Sequence, residues 1–126
     1  MDAAIGFEHL GAEDGRARGR FDVTDNVRQP FGIVHGGAYA AAAESLASAA
    51  TFLAVREDGM AAMGQSNHTS FLRPVSEGTI HAEATARHRG RTSWVWEVEF
   101  KDDQGRLCAL SRVTTAVRPG PSAEGA

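Results

Sequence analysis

The sequence holds one cysteine, four prolines and few basic residues other than arginine, and each shortage closes off a class of protein. Cys108 alone supplies no disulfide framework and no CxxC pair. Its neighbours Leu107, Ala109 and Leu110 mark it as a buried structural thiol rather than a zinc ligand. His9, His81 and His88 have no partner at a ligating spacing, so no metal and no cofactor is expected. Acidic and basic residues are scattered, with a formal net charge of -3. No basic patch follows, and nucleic acid is not an expected partner. The first ten residues lack a basic stretch leading into an apolar run, so they do not read as a signal peptide, and a cytoplasmic protein is expected.

What is present is organised around residues 30–55. Pro30-Phe31-Gly32-Ile33-Val34-His35-Gly36-Gly37 is a glycine turn, and it opens an alanine-dominated helix expected over 36–56, with Gly59 near its C-terminal cap. That helix is long enough to span a membrane. Glu44, Ser45, Ser48 and Thr51 interrupt it, and alanine is only weakly apolar, so no membrane association is expected. Before it, residues 5–10 read as an edge strand, 11–15 as a turn, 16–23 as a strand with one charged face and 25–31 as a loop. After it come strands within 60–71, over 79–89, 92–100 and 107–117, with a hairpin turn at 102–105. One long helix among antiparallel strands is an α+β layout in which the sheet must cover the helix. A chain of 126 residues suits one domain, expected over 1–118, with a flexible tail at 119–126.

The first amides of a helix have no intrahelical partner, and the dipole adds roughly half a positive charge there. With no side chains at Gly36 and Gly37, a ligand oxygen can approach those amides closely, and His35 stands at the entrance. Glu44 is the only acidic residue of the helix before its end. It shares a face with Ser48 one turn on, and with Ala40, Ala41, Ala47 and Thr51. A carboxylate in such a stripe is positioned as a base or nucleophile, with Ser48 to orient it. His68 lies in a polar stretch of strand suited to lining a pocket, and Arg73, Arg89 and Arg91 fall near turns where phosphates can be met. Trp94 and Trp96 read as packing.

Gln29, Pro30-Phe31-Gly32, His35-Gly36-Gly37, Ala43-Glu44-Ser45 and Ser48 together resemble the hotdog-fold thioesterases of the PaaI-like superfamily. The likeness extends through Asn67-His68, 73–78, 105–108 and 112–117. Within that superfamily the sequence is similar to the glutamate type, which includes 4-hydroxybenzoyl-CoA and 1,4-dihydroxy-2-naphthoyl-CoA thioesterases. The resemblance implies a hotdog fold and hydrolysis of an acyl-CoA, with an aromatic acyl group preferred. It implies that Gly36 polarises the thioester carbonyl, that Glu44 attacks it or activates water, that Gln29 and Ser48 position the reacting groups, and that His35 braces the turn. Gly37, His68, Arg73, Gly90, Arg91 and Thr92 are the implied substrate or CoA contacts. It also implies a homodimer with each site built across the interface; a homotetramer is the further expectation. Such proteins often carry a helix before the first strand, which the short N-terminal stretch here does not lead one to expect. A non-catalytic acyl-CoA-binding protein and a hotdog dehydratase or hydratase are the alternatives.

Overall fold

A computed structural model describes residues 1–121. Six antiparallel strands form one sheet: β1 (Glu8–Glu13), β2 (Arg16–Asp22), β3 (Met60–Phe71), β4 (Thr79–Arg89), β5 (Ser93–Lys101) and β6 (Leu107–Pro119), in the order β1-β2-β4-β5-β6-β3. The long helix α2 (Gly36–Val55) lies across one face of it. Period-two alternation decides which side chains meet the helix: Trp94, Trp96, Val98 and Phe100 of β5, with Ile80, Ala82 and Ala84 of β4, are all buried. Alanine does the reciprocal job on α2. Ala42, Ala43, Ala47 and Ala50 let the helix backbone approach the sheet, with Leu46 as the large apolar side chain among them. By length and apolarity Gly36–Asp58 passes for a membrane span, but half of that window is buried within the fold and it serves as the core helix.

At the centre of the layer, Thr51 Oγ1 donates to Ala47 O at 2.8 Å and accepts from Trp96 Nε1 at 2.9 Å. Thr115 Oγ1, 3.0 Å away, supplies the remaining bond, so a fully buried polar cluster is satisfied within an apolar core. The Asp102–Gly105 turn is also built on a buried polar group. Asp102 accepts from the Gln104 and Arg106 amides and from Arg106 Nε. Burial alone would raise its pKa, but these donors outweigh it and hold the carboxyl below its ordinary range.

Several boundaries differ from expectation. The segment expected to be an edge strand from residue 5 begins instead with a one-turn helix, α1 (Asp2–Ile5), closed by Gly6 at φ 71°. The strand proper runs on through Gly11 to Glu13, because the turn needs only Asp14 and Gly15. The helix ends one residue early and tightens into a 3-10 turn (Arg56–Asp58) capped by left-handed Gly59, as its glycine suggested. At the other end Pro119 still pairs with Met60, two residues past the expected end of the last strand, and the Gly120 amide donates to Gly59 O. Residues 122–126 of the expected tail lie outside the described residues.

Candidate active site

The loop ahead of α2 is held by its own backbone. Arg28 bridges to Val34, the Gln29 amide donates to Ile33 O, the His35 amide to Val27 O and the Val34 amide to Val75 O. Gln29 Oε1 accepts from the Phe31 amide, which leaves the side-chain NH2 group as its free donor. His35 is the N-cap, and its Nδ1 accepts from the Gly37 amide at 2.9 Å. Of the two glycine amides expected to receive a ligand oxygen, Gly37's is therefore occupied by a ring nitrogen. The Gly36 amide has no acceptor among the described residues. It opens on a mainly apolar cavity of about 570 Å³ whose walls include Gln29, Phe31, Tyr39, Phe71 and Arg73.

Tyr39 and Phe71 were not singled out from sequence. Tyr39 packs between Phe21, Phe71 and Phe100, and its enclosed hydroxyl has no partner among the described residues. Burial moves that phenol well above its ordinary pKa. The ring of Phe71 lies directly over Gly36, where a Cβ would stand 2.7 Å from its Cζ. Any side chain at 36 would have to displace it.

Glu44 sits two turns further along α2, about 12 Å from Gly36 by helical rise. The apolar stripe expected to enclose it does not do so along its whole length. Thr51 and Ala47 are enclosed and Ser48 is partly so, but Glu44 is exposed, because there the stripe runs out over β3, an edge strand. Its carboxyl rests against Gly64 of that strand. Ser48 Oγ is buried with no hydrogen-bond partner among the described residues, one turn from the carboxylate. Asn67, on the same inner face of β3, donates from Nδ2 to Ala40 O at 2.8 Å.

The remaining expected contacts are not gathered at the start of α2 within one chain. His68 faces the outer side of the sheet beside Ser70, Glu97 and Arg112, not the helix side that bears Gly36 and Glu44; alternation from Asn67 and Thr69 puts it there. Gly90, Arg91 and Thr92 form the β4–β5 turn. Thr92 O accepts from the Val117 amide, which ties that turn to the Met60 end of β3, whereas α2 begins at the Phe71 end. Arg73 does reach the cavity wall. A serine, a histidine and an aspartate also meet near α1, but Ser45 Oγ and Asp2 Oδ2 both contact the same nitrogen, His9 Nε2, so the ring has no relay geometry.

Sequence and structure comparisons agree on the kind of protein this is. The thioesterase superfamily model matches residues 31–109. The chain is 42% identical over 115 residues to the proofreading thioesterase EntH of Cronobacter turicensis, covering 87% of this chain and 83% of that one. It is 36% identical over 113 residues to the 1,4-dihydroxy-2-naphthoyl-CoA hydrolase of Escherichia coli, covering 90% and 81%. A thioesterase crystal structure from Haemophilus influenzae superposes with a TM-score of 0.88 at 31% identity, covering 94% and 82%. With the helix wrapped by its sheet and an open amide at the helix start, the chain belongs to the thioesterase superfamily and is a hotdog-fold thioester hydrolase.

Proposed function

We propose that the protein hydrolyses acyl-CoA thioesters with an aromatic acyl group, at sites shared between two chains. The observation that carries this is the open Gly36 amide beside the Gln29 side chain in a cavity walled by Phe31, Tyr39 and Phe71. Two donors polarise the thioester oxygen, and flat apolar walls suit an aryl group. The naphthoyl-CoA relative supports the same substrate class. A thioester has little resonance stabilisation, so carbonyl polarisation and one positioned carboxylate are enough to expel the thiolate. A cytoplasmic setting is part of the same reading.

The second chain follows from distance. A carboxylate about 12 Å along the helix cannot serve an atom held at that helix's own first amide. β3 is an open edge of 12 residues, and antiparallel pairing with another β3 sets the Phe71 end of one chain against the Met60 end of the next. In that arrangement Glu44 and Ser48 of one chain approach Gln29, His35 and Gly36 of the other. The partner's Gly90-Arg91-Thr92 turn comes to the mouth of the cavity, where with Arg73 it meets the CoA phosphates. Phe52 and Leu53 remain exposed on α2 and are the surface on which two dimers pair into a tetramer.

Two measurements test this. Thiol release should show kcat/KM for benzoyl-type and naphthoyl-type CoA at least about tenfold above that for long-chain acyl-CoA. Equal or better use of the aliphatic substrates sinks the aryl assignment, and tight binding without thiol release sinks hydrolysis. In the second, inactive Glu44→Gln and Gln29→Ala chains are unfolded, mixed and refolded together. With shared sites in a symmetric dimer, half the population is mixed and half of its sites are intact, so about a quarter of wild-type activity should return. Sites confined to one chain would give none.

A further inference from the structure

We infer that Gly64 and Asn67 are positioning residues for Glu44, together forming a seat on β3 that fixes where the carboxylate stands. The inference rests on the reading of Glu44 as the reacting carboxylate. Glycine at 64 is not required by the backbone, since Gly64 is absent from the residues with positive φ. What the position uses is the missing side chain. A Cβ there would lie 2.8 Å from Glu44 Cδ, 2.9 Å from Oε2 and 3.0 Å from Cγ. The carboxyl therefore occupies the space that a side chain at 64 would fill.

Asn67 acts from the same side for an unusual reason. In a regular strand, residues three apart point to opposite faces. Here the register slips between Gly64 and Ser66, so Gly64 pairs with Thr115 and Asn67 with Val113, both inner-face positions. The bulge thus turns both residues toward α2. Asn67 Nδ2 donates to Ala40 O, the carbonyl one turn before Glu44 that receives the Glu44 amide in a regular helix. Asn67 is itself oriented: its Oδ1 accepts from Thr69 Oγ1 at 2.8 Å, and Thr69 Oγ1 is 2.8 Å from the buried Ser111 Oγ. Asn67 fixes the helix turn against the strand, and Gly64 fixes how closely the carboxyl can settle onto it.

The test is Gly64→Ala with benzoyl-CoA. The atoms a Cβ would meet belong to the end of a flexible side chain, so the fold absorbs the change while the carboxyl moves. We expect kcat to fall about 10- to 100-fold, with KM within about threefold and an unchanged melting midpoint. Asn67→Ala should lower kcat in the same sense. The diagnostic step is Glu44→Asp, whose shorter side chain withdraws from a Cβ at 64. Its cost in kcat should be at least about fivefold smaller in the Gly64→Ala background than in the wild type. A Gly64→Ala enzyme with kcat within twofold of wild type overturns the seat, as does an effect confined to KM or strict additivity with Glu44→Asp. Full activity in Glu44→Gln would instead remove the reading on which it rests.

Discussion

Glu44→Gln should lower kcat for an aryl-CoA by about 10²–10⁴-fold, the range typical of a lost acid–base or nucleophilic group. Amide replaces carboxylate with almost no change of shape, so the melting midpoint should stay within about 2 °C. KM should change little, because the thioester oxygen is held by Gly36 and Gln29. A Glu44→Gln enzyme with wild-type kcat would leave the fold without a reacting carboxylate. Single turnover in oxygen-18 water bears on the two roles open to the group. Label in Glu44 itself identifies it as nucleophile, through water attacking the Glu44 carbonyl of a mixed anhydride, whereas label in the released acid alone shows water attacking the acyl carbon, as base catalysis requires.

The largest stability effect should come from the buried end of the same helix face, at Thr51. Trp96→Ala removes a side chain that is 1% exposed and leaves Thr51 Oγ1 without the indole donor. Cavity and lost hydrogen bond together should cost about 3–5 kcal/mol. In a chain of this length that corresponds to a fall of roughly 10 °C or more in melting midpoint. Thermal denaturation followed by circular dichroism checks it, and a shift under about 3 °C would mean that the Thr51–Trp96–Thr115 cluster does not anchor helix to sheet. Activity measured well below the midpoint should survive, since the cluster touches no wall of the cavity.

The helix, its glycine opening and the strands after it were legible because their signals are local: alanine content, alternation, and turn residues at 59 and 102–105. Glu44 was legible for a compositional reason, being a lone carboxylate among alanines. Its surroundings were not. Whether a helix stripe is covered depends on which strand lies under it, and strand order is a non-local property that placed β3 at an edge. The bulge after Gly64 was hidden for a related reason, since a slip in register shows only against the partner strand. Gly64 did leave a trace, because glycine inside a strand marks a bulge or a close approach. The outward direction of His68 follows from Asn67 facing in, and so became visible only with the bulge in place. At the N-terminus α1 is a single turn, too short for periodicity to announce.

The cap on α2 also assigns a proton. Because His35 Nδ1 receives the Gly37 amide, that nitrogen holds a lone pair, and the neutral ring must carry its hydrogen on Nε2. At its other nitrogen the imidazole is then a donor and not a base. An α-proton could not be drawn off a bound acyl chain by this ring without uncapping the helix that holds the carbonyl. Dehydration chemistry on the histidine would cost the helix its cap.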